Sequence, residues 1–251
     1  MNCRFITPRA QAWLANGRSL RILHLFAGVC NLVNEHGEVL SLVAPSVGPG
    51  PFFLVVEEED FTAVLDANAP VCVEGAGRQL RIGPLLLETQ TAVLWTPRPC
   101  WSRLQAFTGP DPMPLPPEIE VPLQTLLAGI QASDEAQIQA GTAGLAGRGP
   151  GLTPAGDDVL LGVIFALWVW GRGTSRGWMD LMVKTAVPRT TTLSAAFLQA
   201  AAGGEATQPW HDLADGVPGA MARLLAVGHS SGSDAWAGFA RLHRLLGQTL
   251  C

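Results

Sequence analysis

The chain has 251 residues, 48% of them hydrophobic and 15% charged, with a formal net charge of −5. That balance describes a well-buried globular protein of one large or two modest domains and excludes a disordered chain. Lys184 is the sole lysine among sixteen basic residues and no basic run occurs, which excludes a nucleic-acid-coating surface. Any attraction for phosphate must be local.

The first residues, Met1-Asn2-Cys3-Arg4-Phe5-Ile6-Thr7-Pro8-Arg9, lack the continuous apolar segment of a secretory signal. Five cysteines, at 3, 30, 72, 100 and 251, are odd in number, scattered and never in a Cys-x-x-Cys pair. They fit reduced, packing thiols in a cytoplasmic protein better than a disulfide framework or zinc site. From 20 to 95, short apolar or alternating segments predict strands at 20–26, 29–33, 38–43, 52–56, 79–82, 85–88 and 92–95. Asn34-Glu35-His36-Gly37 and Gly83-Pro84 supply turns, so consecutive antiparallel pairing into a curled sheet or small barrel is expected. Glu57-Glu58-Glu59-Asp60 reads as a solvated turn before a short helix at 61–65 rather than as a metal site.

Prolines at 110, 112, 114, 116 and 117 forbid both a long helix and a central strand. They suggest a β-rich domain at 1–108, a proline-rich linker at 109–117 and an α-helical domain at 118–251, an α+β protein. Beyond them Ile119, Leu123, Leu126, Leu127 and Ile130 fall at helical spacing, and Ser133 is placed to cap a second helix reaching Leu145. Further helices are predicted at 159–170, 178–185, 191–202, 218–226 with Pro218 in its first position, and 233–246. The apolar run 159–170 is too short to span a bilayer and reads as a helix buried on most sides. No membrane association is expected. The tryptophans read as core or interface anchors.

Three polar phrases carry the chemistry. The first is Gly149-Pro150-Gly151-Leu152-Thr153-Pro154-Ala155-Gly156-Asp157-Asp158, preceded by Arg148. Thr153 is a candidate N-cap and Pro154 a candidate first helical residue, which would leave the N–H groups of Ala155 and Gly156 free in the opening turn. A helix start with unpaired N–H groups receives anions. Two adjacent aspartates allow one to brace the loop while the other faces a ligand or a magnesium ion. The plainer alternative is that Thr153 and both aspartates merely start a hydrophobic helix. Neither the Walker pattern nor the dinucleotide fingerprint is met.

The second phrase, Gly228-His229-Ser230-Ser231-Gly232-Ser233-Asp234, repeats the first more weakly: Gly156-Asp157-Asp158 with Gly162 aligns with Gly232-Ser233-Asp234 and Gly238. It formally satisfies Gly-x-Ser-x-Gly, but in α/β-hydrolases the acid and histidine follow across further strands, whereas the stretch after Gly232 reads as one helix. Ser231 as N-cap with Asp234 as its partner is the better reading. His229 is the one histidine placed for a ligand. The third phrase, Arg189-Thr190-Thr191-Thr192-Leu193-Ser194, sets hydroxyls beside a guanidinium, which suits an oxyanion well or an ordinary capped helix.

In this order and spacing, Gly-Leu-Thr-Pro-Ala-Gly-Asp-Asp at 151–158, Thr-Thr-Thr-Leu-Ser at 190–194 and Gly-His-Ser-Ser-Gly-Ser-Asp at 228–234 resemble a bacterial family once filed as a domain of unknown function. That family includes the AllH-type subunit of oxamate carbamoyltransferase from allantoin breakdown. The resemblance is strong over the C-terminal half and holds in outline over the β-rich half. It implies a part in converting oxalurate and phosphate to oxamate and carbamoyl phosphate, beside other subunits, one of them similar to acyl-CoA synthetases. On that resemblance Asp157, Asp158 and Asp234 are candidate catalytic residues. Candidate contacts to substrate or phosphate are Arg148, Thr153, Gly156, Arg189, Thr191, Thr192, Ser194, His229, Ser231 and Gly232. Magnesium is the one cofactor considered. A non-catalytic anion-binding or scaffold subunit is the alternative.

Overall fold

The computed structural model describes residues 1–171 and 175–248; Cys251, read above as a reduced thiol, lies outside the described residues. The chain divides into two compact units, Met1–Pro97 and Arg98–Cys251.

In the first unit, β2 (Arg21–Leu25), β3 (Val29–Val33) and β4 (Val39–Val43) form the expected antiparallel meander. Asn34 closes its second turn by accepting the His36 and Glu38 N–H groups on Oδ1 at 3.0 and 2.9 Å, the side-chain mimicry that favours asparagine in turns. Consecutive antiparallel pairing then stops. The connection 44–52 carries the chain back along the sheet before β5 (Phe53–Val56) begins, so β5 lies parallel to β4, with Ser41 opposite Phe53. An N-terminal strand not foreseen, β1 (Cys3–Ile6), enters between β5 and β9 (Val93–Leu94), giving the order β2-β3-β4-β5-β1-β9. This is the sheet of the two architectures expected, with β2 and β9 at its edges.

Also unforeseen is α1 (Pro8–Asn16), started by Thr7, whose side chain accepts the Ala10 N–H at 3.2 Å, and by Pro8 in the first turn. A second, three-stranded antiparallel sheet holds β6 (Val71–Glu74), β7 (Gln79–Ile82) and β8 (Leu85–Glu88). The acidic run ends in a cap: Asp60 accepts the Thr62 N–H at 2.9 Å and opens α2 (Phe61–Val64). Leu32, Leu40, Leu42, Leu54, Phe61, Leu80 and Leu87 are fully buried in the core of this unit. Cys3 and Cys30 lie there too, and burial pushes both thiols up to about 12, as packing rather than reactive cysteines.

The second unit is helical: α3 (Pro117–Ala132), α4 (Glu135–Leu145), α5 (Ala155–Trp170), α6 (Ser175–Ala186), α7 (Thr192–Ala202), α8 (Gln208–Ala214), α9 (Ala220–Leu225) and α10 (Ser231–Gln248). Residues 98–108, grouped above with the strands, belong here. Trp101 stacks on Phe165 with ring centroids 4.7 Å apart and donates its Nε1 proton to Gly204 O at 2.9 Å. The proline-rich stretch therefore runs inside this unit, and a buried tryptophan draws the chain across before it.

Two of the helix starts, those of α4 and α9, fall a residue or two beyond expectation. Ser133, at φ +56°, ends α3 in the left-handed region, and Asp134 caps α4 by accepting the Ala136 and Gln137 N–H groups. Gly219, at φ +75°, bends the chain after Pro218, so α9 begins at Ala220. The helix α8, unpredicted, carries a readable signal in Thr207, Pro209 and the spacing of Trp210, Leu213 and Ala214. At the centre lies α5, with twelve of its sixteen residues buried and none exposed. Its most extensive packing is against α10. No helix among the described residues is long and apolar enough to cross a membrane.

Candidate functional site

The first polar phrase folds into a loop that presses the start of α5 onto the end of α4. Gly147 adopts φ +69°, and a Cβ there would meet Arg189 O at 2.2 Å, so both conformation and space demand glycine. Gly156 donates its N–H to Arg148 O at 2.9 Å, and a Cβ on it would lie 2.1 Å from Leu145 O. Its N–H is thus consumed inside the fold and is not free as expected. Helix α5 begins at Ala155 behind a buried Pro154 with no side-chain cap. Thr153, expected as that cap, points instead to the second phrase, where its hydroxyl meets the Ser231 hydroxyl at 3.0 Å.

The second phrase repeats this construction. Gly232 donates its N–H to Val227 O at 3.0 Å, and a Cβ on it would lie 1.8 Å from Leu224 O. Ser230 O accepts the Asp234 N–H at 2.9 Å, so α10 opens one residue ahead of the expected Ser231 cap. The aligned glycines further along are reciprocal: a Cβ on Gly162 would lie 1.8 Å from Ala235 O, and one on Gly238 would lie 2.0 Å from Val159 O. Each glycine sits on the residue that leads the other by three. The repeated phrase is therefore a local two-fold device in which α5 and α10 cross backbone to backbone, and the two phrases meet at Thr153 and Ser231.

The third phrase ties down the loop between them. Thr190 donates its hydroxyl proton to Asp157 Oδ2, while Asp157 Oδ1 accepts the Gly147 N–H at 2.9 Å. Thr191 caps α7 by accepting the Ser194 N–H at 3.1 Å and donates its hydroxyl proton to Leu152 O at 2.6 Å. Replacing Thr191 with valine removes both bonds at constant shape; the expected loss is roughly 1–2 kcal/mol in a urea melt. A loss of only a few tenths would show that the tie is not made in solution.

Asp157 thus braces the loop, and Asp158 is left for other work. Burial raises the Asp157 pKa, opposed by the hydrogen bonds from Thr190, Gly147 and Ser194. Asp158 is 7% exposed. Burial pushes its carboxyl up to about 8; hydrogen bonds with Ser231 and Thr153 oppose the shift, and the charges of Asp234 and Asp157 add to it. Burial also raises Asp234, against a hydrogen bond with Ser230. The Oδ2 atoms of Asp158 and Asp234 are both buried without a hydrogen-bond partner.

The fold therefore brings Asp157, Asp158, Asp234, Thr153, Thr191, Ser194 and Ser231 around one polar junction. It does not bring every candidate there. Arg148 donates its Nε proton to Gly144 O at 3.2 Å, and Arg189 donates from Nη1 to Thr185 O at 2.6 Å. Thr192 and His229 are exposed. His243 packs on Phe239 and accepts the Trp170 Nε1 proton, which leaves it no part in a serine triad. Thr190 and Ser230 are the members that spacing did not single out, because which hydroxyl of a run turns inward depends on the turn it meets. At the junction the Gly156 and Gly232 N–H groups are spent, and the three phrases present carboxyl and hydroxyl oxygens there. A groove of ≈ 780 Å³ lined by Phe107, Trp170, Trp236 and His243 includes no residue of the three phrases.

No solved structure matches this chain. The family model for the oxamate carbamoyltransferase subunit AllH matches residues 145–242, a span that holds all three phrases, α5 and the larger part of α10. A second model, for the AllH family N-terminal domain, matches residues 4–94, within the β-rich unit. With both domains matched in order over most of its length, the chain belongs to the AllH family of oxamate carbamoyltransferase subunits.

Proposed function

We propose that this chain works in the cytoplasm as the AllH subunit of an oxamate carbamoyltransferase, and that the junction of α5, α7 and α10 forms its part of the substrate site. In that reaction the bond between the carbamoyl carbon and the oxamate nitrogen of oxalurate breaks. A phosphate oxygen bonds to that carbon, and the oxamate nitrogen gains a proton, giving oxamate and carbamoyl phosphate. The pathway served is allantoin breakdown, and the companions include an acyl-CoA-synthetase-like subunit. The observation that carries the reading is the pair of buried, unpartnered carboxyl oxygens on Asp158 and Asp234, beside the linked hydroxyls of Thr153 and Ser231. Buried polar atoms are normally paired, and exceptions concentrate where a ligand completes the set. Arg148 and Arg189, exposed on the loops that flank the junction, spend one N–H each on Gly144 O and Thr185 O and keep the others for the substrate's anionic groups.

The test is phosphorolysis of oxalurate by the reconstituted complex, with Asp157, Asp158 and Asp234 each replaced by asparagine. Asp158→Asn and Asp234→Asn should each lower turnover by on the order of 100-fold with an unchanged circular dichroism spectrum. Asp157→Asn should chiefly lower the melting temperature, since its carboxylate holds Gly147 and Thr190. A second reading, a non-catalytic subunit, is favoured by one observation: the Gly156 and Gly232 N–H groups, the natural anion donors, are both spent within the fold. Full turnover in all three variants would select it.

A further inference from the structure

We infer that Asp158 and Asp234 form a binding site for a hard divalent cation of the magnesium class where α5 crosses α10. The two carboxyls occupy matching positions, each two residues beyond the glycine that seats its helix start, on two helices that cross in close contact, and the Asp234 charge acts on the Asp158 carboxyl. Each keeps one oxygen, Oδ2, that is buried and that no protein group bonds, and Asp158 as a whole is 7% exposed. Among the described residues no ion pair joins either aspartate to an arginine or lysine; the flanking guanidiniums of Arg148 and Arg189 direct one N–H each at Gly144 O and Thr185 O.

Two neighbouring carboxylates without a counter-charge are unstable in a buried site, and what they lack is positive charge. The side chains that hydrogen-bond them present oxygen: the Thr153 and Ser231 hydroxyls beside Asp158 and the Ser230 hydroxyl beside Asp234. An oxygen-only set with no imidazole or thiolate suits magnesium, calcium or manganese and disfavours zinc and copper. With only two carboxylates it is too sparse for an all-protein calcium cage. It matches the habit of magnesium, which keeps several waters and uses one or two carboxylates, leaving positions for an anionic substrate. This inference does not need the carbamoyltransferase reading, because cation binding is measured on the isolated chain.

The experiment is thermal unfolding of the full chain, stripped with chelator, in millimolar magnesium chloride against sodium chloride of matched ionic strength. The wild type should gain several degrees in melting temperature with magnesium only, and Asp158→Asn and Asp234→Asn should each lose that gain. No magnesium-dependent gain in the wild type, or a gain that survives in both variants, overturns the inference. Should the asparagine variants not fold, manganese binding is followed by electron paramagnetic resonance in Thr153→Val and Ser231→Ala. These should weaken binding by about 10-fold or more, and wild-type affinity in both overturns it equally.

Discussion

Gly162→Ala is expected to destabilise the helical unit by about 3 kcal/mol or more, the opposite of what alanine does in an ordinary helix. Alanine normally gains about 1 kcal/mol over glycine in a helix interior, because it loses less backbone entropy. Here the added Cβ would stand 1.8 Å from Ala235 O and 2.7 Å from Phe239 N, both backbone atoms of α10. A flexible side chain could swing aside, but a helix backbone moves only as a body, and the aromatic cluster of Phe165, Trp210, Trp236 and Phe239 must then separate. Overpacking of a well-filled core costs about 1–3 kcal/mol when side chains absorb it, so the upper end is the floor.

Gly238→Ala should behave alike, its Cβ lying 2.0 Å from Val159 O. The double variant should lose clearly less than the sum, since one displacement of α10 relieves both clashes. Gly177 in α6 supplies the control: a Cβ there meets nothing within 4 Å, and Gly177→Ala should gain about 0.5–1 kcal/mol. Urea melts of the four variants decide the matter. A neutral Gly162→Ala would show that α5 and α10 do not cross as closely as described.

The second large effect concerns pH. Burial pushes the Asp158 carboxyl up to about 8 in the folded chain, against 3.8 in the unfolded chain. Between those values the folded state holds a proton that the unfolded state has released, so stability falls as pH rises. The contribution of the protonated form is fully present below about 3.8 and gone above about 8. The slope is at most about 1.4 kcal/mol per pH unit for one group. Asp157 and Asp234 are raised in the same direction and steepen the fall.

Asp158→Asn should therefore match the wild type near the acidic end of the window and exceed it at the alkaline end, with a shallower slope throughout. The lowered carboxylates Glu35, Asp60 and Glu74 act in the opposite sense at lower pH, and His24 and His243, lowered by burial, act in the opposite sense below 6.5. The effect is therefore read as the difference between wild type and Asp158→Asn, which share those groups. Stability measured in chelator from about pH 5 to about pH 8 reads the difference. A wild type whose stability follows the same pH slope as Asp158→Asn would mean that the Asp158 carboxyl reaches water. Its unpartnered oxygen would then lose its significance for the proposed site as well.

Much of this protein was legible in short stretches of sequence. Strands at 29–33, 79–82 and 85–88 coincide with β3, β7 and β8, because alternation and turn residues are local properties that need no partner to be recognised. The change from strand to helix texture, the buried α5 and the likeness of Gly156-Asp157-Asp158 to Gly232-Ser233-Asp234 were equally open to inspection. Tertiary structure alone decided how those features are used. Glycine spacing could mean free N–H groups awaiting an anion or close passage of two backbones, and the choice fell to passage because Leu145 O, Leu224 O, Ala235 O and Val159 O arrive where the Cβ atoms would be. Likewise, which of two adjacent aspartates braces the loop was set by Thr190 and Gly147 reaching Asp157. The parallel entry of β5 beside β4 and the recruitment of Trp101 into the helical core have the same origin. Periodicity and caps are written within one turn of the chain, whereas these outcomes depend on segments far apart in sequence meeting in space, and no local window contains both partners.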